Sequence, residues 1–267
     1  MQGHTWYMWA FLSSSTVVFT LHPSRSSEVP VAHFGADAAG ILNVDRYAAY
    51  KVLLEGGRIL LAFCWAHVRR DVLAVAKDWG GEHEAWGLGW VEKIAELYGL
   101  NTQRLAVQQE PDRCSPAHAR LEAAVDQMAE VCDAQLADAT LHPARRTVLA
   151  SLTRHWSGLV LFVQHPEVPM DNNRVERAQR PHVVGRKNYD GSGARWSGEL
   201  AAMLFSVFQT LLLCNSNPRR WLTAYLEACA DNGGTAPADA AQWLPWTLGA
   251  EQRRTWQLSQ ARPRDAP

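Results

Sequence analysis

Apolar and β-branched residues crowd two short runs near the N-terminus, 5–12 and 16–21, with Ser13, Ser14 and Ser15 between them. Two such runs about a polar break predict a β-hairpin. A Pro-, Ser- and Gly-rich connection follows, with one helical turn expected near 31–38. The run 40–45 is short and apolar and ends in Asp45, and 46–53 has helical spacing. The next run, 58–63, is continuously apolar, as a strand covered on both faces would be, and it leads into the helical spacing of 64–73. Strand, helix, strand, helix implies parallel neighbours joined by crossovers. Sites in such sheets form at the carboxyl ends of the strands, which is where Asp45 falls.

From about residue 80 to 169 the period becomes helical throughout. Leu121, Val125, Met128, Cys132 and Leu136 fall on one face, and Leu149, Leu152, Trp156 and Leu159 on another, with Pro111, Pro143 and Pro166 as punctuation. This block reads as an all-helical insertion into the sheet domain. The expected segments are 1–79 and 170–232 for the two parts of that domain, 80–169 for the insertion and 233–267 for a tail. In the third segment Ser197 is expected to cap a helix running to about Cys214, apolar over most of its surface and therefore buried against the sheet. Pro218 suits the start of a further helix over 219–230. Trp243, Trp246 and Trp256 are the tail's means of packing.

Composition narrows the class. The chain has 267 residues, 47% hydrophobic and 20% charged, which is an ordinary globular balance. A formal net charge of −1 gives no overall steering of polyanions, so a nucleic-acid surface has to be local. Five scattered cysteines, never in a Cys-x-x-Cys pair, suggest neither a disulfide framework nor a zinc ribbon and fit a reducing cytoplasm. The apolar stretch 6–21 lacks the features of an export signal. No run is read as long enough to span a bilayer. The expectation is a cytoplasmic protein without membrane contact.

The stretch 170–196, M-D-N-N-R-V-E-R-A-Q-R-P-H-V-V-G-R-K-N-Y-D-G-S-G-A-R-W, holds the candidate chemistry. Glu176 stands among Arg174, Arg177 and Arg180, followed by a Gly185-Arg186-Lys187-Asn188 turn. From Asp171 to Arg195 six Lys/Arg face three Asp/Glu, a local excess of three positive charges. Asn173 and Glu176 also fit a capping box, the structural alternative. What favours chemistry is the second acid: Asp45 lies 131 residues earlier (176 − 45), which leaves room for the helical insertion. A strand-end aspartate and a helix-borne glutamate suggest a ribonuclease-H-like mixed sheet with two-metal chemistry, in which carboxylates hold Mg²⁺ or Mn²⁺. Asp171, Asp190 and Glu199 are alternative third ligands. Cys64 and His67, three apart, could form half a zinc site, but a role at a helix start is favoured. Arg186 and Lys187 are better phosphate contacts than Arg69 and Arg70, and Tyr47, Tyr50 and Trp65 read as packing residues.

Three motifs in order, V-D-R-Y-A-A-Y (44–50), F-C-W-A-H-V-R-R-D (63–71) and D-N-N-R-V-E-R-A-Q-R-P followed by G-R-K-N-Y (171–189), together resemble transposases of the insertion-sequence 66 family. The resemblance covers about 3–233. It implies a DDE transposase that cuts and rejoins the DNA ends of a mobile element with divalent metal, acting as a homo-oligomer. Asp45 would be the second acid and Glu176 the third, with Arg174, Arg177, Arg180, Arg186 and Lys187 on DNA. In the family the first catalytic aspartate lies on a strand preceding the segment that matches 3–21, so this chain is expected to be a C-terminal portion lacking that strand and inactive alone. Two other expectations stand beside it: a non-catalytic remnant that binds DNA or a full-length transposase, and a metal-dependent nuclease.

Overall fold

A computed structural model describes residues 5–188 and 192–258. The chain forms two compact units, one of Ser26–Asn173 and the other of the segment through Arg25 together with the segment from Arg174 onward.

The first unit begins with helix α1 (Glu28–Phe34) and strand β3 (Gly40–Val44), the strands β1 (Tyr7–Leu12) and β2 (Val17–His22) belonging to the other unit. A 3-10 helix over Ala48–Leu54 connects β3 to β4 (Ile59–Phe63), and the two strands pair in parallel, with Val44 opposite Phe63. Both expected strands are thus present, with Asp45 directly after β3. The expected two-sided burial of β4 needs correction at one position. Ile59, Leu61, Ala62 and Phe63 are buried, whereas Leu60, which alternation points to the opposite side from Ile59 and Leu61, is 45% exposed.

Helices α2 (Trp65–Trp79), α3 (Glu82–Ala106), α4 (Pro111–Ala137), α5 (Pro143–Arg154), α6 (Trp156–Leu159) and α7 (Leu161–Gln164) complete this unit. Their inward residues, among them Trp65, Trp90, Leu121, Leu149 and Phe162, share one core with Leu61 and Phe63 of β4. The closest approach is at Gly158 of α6. A Cβ there would lie 2.4 Å from the Leu61 carbonyl oxygen and 2.5 Å from the Phe63 ring, so only glycine lets this helix seat on the strand. Arg104 is buried without a carboxylate partner among the described residues. Its guanidinium instead donates to the carbonyls of Phe162 (2.9 Å) and Val163 (2.6 Å), which α7 leaves unsatisfied at its end.

In the second unit β1 (Tyr7–Leu12) and β2 (Val17–His22) form the expected antiparallel hairpin, with Leu12 opposite Val17. Helices α8 (Asn173–Asn188), α9 (Arg195–Leu213), α10 (Pro218–Asp231) and α11 (Ala250–Trp256), with a 3-10 turn over Ala241–Trp243, make up the rest. Two hydroxyls on α9, one turn apart, meet the outer edge of β2. Thr210 Oγ1 accepts from the Val17 amide at 3.0 Å and donates to its carbonyl at 3.1 Å, and Ser206 Oγ accepts from the Phe19 amide at 2.8 Å. The edge is thereby closed by side chains where a strand would otherwise pair.

Several expectations need correction here. The strands form two separate two-stranded sheets among the described residues, not one mixed sheet, and α9 occupies the β2 edge. Ser197 is not the cap of α9; it sits in the first turn and donates to the Ala194 carbonyl at 2.8 Å. Nor is α9 buried all round, since Trp196, Leu200 and Met203 are exposed on one side of it. By length and composition alone α9 also suffices to cross a membrane, contrary to the reading that no run is long enough. Farther on, Pro218 does open α10, with Asn217 Oδ1 accepting from Arg219 and Arg220 amides. Trp243 and Trp256 stack with centroids 6.1 Å apart, and Trp256 packs with Trp221 in a small core.

Two stability outcomes follow. Gly158→Ala should destabilise the chain by about 1–3 kcal/mol or more in a denaturant titration, because the neighbours are backbone and a buried ring. His155 is buried, and this burial holds its pKa below the ordinary value despite the Nδ1 bond to the Ser151 carbonyl at 2.8 Å. The unfolded chain then binds a proton more readily than the folded one. Stability should therefore be full above about pH 6.5 and fall as the pH is lowered through that value. The slope should be smaller in His155→Gln, and not zero, because burial also lowers the pKa values of His83 and His182.

Candidate functional site

The strand ends of β3 and β4 are met by a segment more than a hundred residues later. Asn43 Nδ2 donates to the Pro169 carbonyl at 2.6 Å and the Asp171 carbonyl at 3.4 Å. The Trp65 amide donates to the Met170 carbonyl at 2.9 Å, and the Asn172 amide donates to Cys64 Sγ at 3.4 Å. Tyr98 of α3 donates its hydroxyl to Asp171 Oδ2 at 3.3 Å. Asp171 Oδ1 accepts from the Asn173 amide at 3.0 Å, the first residue of α8. Strand ends, α3 and the start of α8 therefore converge on residues 169–173.

Electrostatics within this cluster follow from burial beside a carboxylate. Burial pushes the Cys64 thiol up, and the Asp171 charge adds to it against the lowering effect of three backbone hydrogen bonds. The Tyr98 hydroxyl is pushed up by burial first and by Asp171 second. Neither group is a nucleophile at neutral pH; Cys64 is a fixed partner for the Asn172 amide and Tyr98 for the Asp171 carboxylate. Cys64 precedes α2, in keeping with the helix-start role favoured from its spacing.

Asp45 is half-buried, and its Oδ1 accepts from the Tyr47 amide at 3.1 Å. The neighbouring Arg46 is held away from it by Asp71 and by Ser151 Oγ at 2.9 Å. Tyr47 and Tyr50 pack edge to face at 6.4 Å, and Trp65 is fully buried with Nε1 donating to the Leu159 carbonyl at 2.8 Å, so these three have the packing roles expected of them. Asn43 lies two positions before Asp45, on the same side of the strand by alternation. Its Oδ1 and that of Asn172 are buried acceptors with no partner among the described residues. Sequence reading passed over Asn43 and Tyr98. A polar residue inside the apolar run 40–44 was a usable signal for the first, while nothing local marked the second.

Glu176, Arg174, Arg177, Arg180, Arg186 and Lys187 all lie on α8 and are exposed. The expected Gly185-Arg186-Lys187-Asn188 turn is helical instead, since one glycine is tolerated within a helix. Spacings of four, three and four put Glu176, Arg180, Val183 and Lys187 on one stripe. Arg186 falls about 100° around the helix from Lys187. Pro181, inside the helix, removes an amide that would otherwise bond to the Arg177 carbonyl. At the helix start Asp171 Oδ1 accepts from the Asn173 amide, the donor that a capping box would direct to the Glu176 side chain. Arg69 and Arg70 are exposed on α2.

Asp45 belongs to the first compact unit and Glu176 to the second. Of the alternative ligands, Asp171 is engaged as described, Glu199 pairs with Arg195 at 2.7 Å, and Asp190 lies outside the described residues. No group of three or more His, Cys, Asp or Glu is placed to hold a metal ion among the described residues.

The comparison with known families supplies the class. The model described as "Transposase IS66 family" matches residues 1–200, and the chain belongs to that family. Among curated proteins it is 30% identical over 239 residues to uncharacterized protein y4jD of Sinorhizobium fredii (strain NBRC 101917 / NGR234), covering 86% of this chain and 44% of that one. It is 26% identical over 250 residues to uncharacterized protein y4hP of the same strain, covering 86% and 43%. The chain thus spans less than half the length of these relatives. No solved structure matches it.

The Tyr98–Asp171 contact should be measurable in a double-mutant cycle. Tyr98→Phe combined with Asp171→Asn should show a coupling of about 0.5–1.5 kcal/mol in unfolding free energy. Strict additivity would mean that the contact does not hold the segment.

Proposed function

We propose that this chain is the catalytic portion of a DNA transposase and that Asp45 and Glu176 are two carboxylates of its metal-binding set. The observation that carries the reading is Asp45 at the carboxyl end of β3, in a chain of the IS66 transposase family. The fold proposed with it is ribonuclease-H-like, with 80–169 as the insertion and a further strand needed to join the two strand pairs into one sheet. Mobile-element ends and target DNA, self-association and a cytoplasmic location belong to the same reading. The hydroxyl bonds from Ser206 and Thr210 to β2 argue for α9 as a packed helix of a compact unit, not a membrane span.

The donor chemistry fits a hard divalent cation. Asp45 keeps one carboxylate oxygen outside its bond to Tyr47, and the unpartnered Oδ1 atoms of Asn43 and Asn172 are neutral oxygen acceptors near the same strand end. When bound, Mg²⁺ or Mn²⁺ would activate the attacking oxygen and stabilise the leaving one in phosphoryl transfer. Asp45, fixed by the Tyr47 amide, is oriented before any ligand arrives. Arg180 and Lys187, on the stripe of Glu176, hold the DNA backbone, and Arg174, Arg177 and Arg186 extend the positive surface. Arginine suits this role because its planar fork can bind a phosphate with two hydrogen bonds.

Calorimetric titration with Mn²⁺ tests the pairing. The unaltered chain should bind the ion, and both Asp45→Ala and Glu176→Ala should lose that binding while keeping the helical circular-dichroism spectrum. Undiminished binding by both variants would overturn the assignment.

A further inference from the structure

A groove of about 280 Å³ lies within the second compact unit. Arg174 and Arg177 form one rim of it, and Leu12, Leu212 and Leu213 give it an apolar floor beside the amide of Gln209. Neither arginine pairs with a carboxylate among the described residues, and both are exposed. They are three residues apart in the first turns of α8 and therefore face the same side. Glu176 does not line the groove; it lies about 100° around the helix from Arg177.

The walls are built from fixed parts. The β1–β2 turn is held by Ser13 Oγ, which accepts from the Thr16 amide at 3.0 Å. Cys214 Sγ donates to the Ser15 carbonyl at 3.4 Å and ties the end of α9 to that turn. Ala178, on the inner side of α8, packs in one cluster with Val17 and Phe19 of β2, and His182 meets Phe205 of α9 edge to face at 5.6 Å. The groove therefore exists without a ligand, which limits the ordering cost of filling it.

Two unpaired guanidinium groups above an apolar floor with one amide match a particular ligand chemistry. A phosphate satisfies the arginines, a flat base covers the leucines, and the Gln209 amide can both donate to and accept from a base edge. In duplex DNA the base faces are stacked on one another, so the floor would contribute nothing. In an unstacked nucleotide they are free to be buried. We propose that this groove holds one unstacked nucleotide of a single-stranded or frayed DNA segment. The proposal rests on the transposase reading and gives it a substrate form: with Glu176 on the same turn of α8, the groove takes a nucleotide flanking the strand position where that glutamate acts.

Fluorescence anisotropy with the full chain tests this, using a short labelled single strand of mixed sequence and the same sequence as a blunt duplex, both in EDTA. The single strand should bind more tightly. Gln209→Ala and Leu212→Ala, which leave the charge unchanged, should each weaken the single strand by about fivefold and spare the duplex, as expected when base contacts are lost and phosphate contacts kept. Arg177→Ala should weaken both. Leu212 is 41% exposed, so its truncation is tolerated by the fold, and Gln209→Ala gives an independent reading if it is not. Equal affinity for the two DNA forms, or no effect of either neutral variant, would overturn the proposal. Polyglutamate competing as well as the oligonucleotide would also overturn it, in favour of an acidic protein segment. Because EDTA removes divalent metal, failure here is separate from failure of the Mn²⁺ titration.

Discussion

The constraint on which the site depends is the return of residues 169–173 to the ends of two strands laid down more than a hundred residues earlier. Asn43 holds two carbonyls of that segment, Trp65, Cys64 and Tyr98 hold one atom each, and the other oxygen of Asp171 is the first acceptor of α8. Each bond is worth only about 0.5–1.5 kcal/mol net, and those of the buried Cys64 and Trp65 also cost more to leave unpaired than they gain when made. The segment is therefore fixed by several modest bonds acting together. The anchor ends at Asn173, the first residue of α8, whose amide bonds to Asp171.

A second constraint shapes the other unit. A two-stranded hairpin is marginal alone, and β2 would present an open edge. Thr210 and Ser206 remove that edge by bonding to Val17 and Phe19, two residues apart on the strand and one turn apart on the helix. The match works because a helical turn and two strand residues cover similar distances, 5.4 Å against roughly 6.6 Å. It also explains why so apolar a helix carries two hydroxyls on its inner face. The same packing, continued through Ala178 and Phe205, sets α8 along the hairpin and forms the arginine-rimmed groove.

What was legible in the sequence was what local pattern determines. The hairpin, β3, β4 and the start of α10 were readable because β-branched runs, a strand-end aspartate and Asn217-Pro218 act over a few residues. The exposed side of α9 was not, because a helix apolar on nearly every face gives no sign of which face is covered. The basic stretch at Gly185 read as a turn from its glycine, yet the helix continues through it despite Pro181 as well. Long-range partners were illegible in principle: nothing near Tyr98 or in 169–173 announces that they meet. Asp45 and Glu176 stood out as an acid pair by residue type and order, and both fall within residues 1–200 that the family model matches. The place of Gln209 in the wall of the arginine-rimmed groove had no signal at all, since a lone glutamine in an apolar helix is ordinary.

The most direct measurement of the central claim, that Asp45 and Glu176 share a metal, is backbone cleavage by hydroxyl radicals generated at Fe²⁺ substituted for Mg²⁺ in the folded chain. The account predicts cuts at both residues around Asp45 and residues around Glu176, and their joint suppression by excess Mg²⁺. Cuts at one of the two alone, or at neither while Fe²⁺ remains bound, would contradict it.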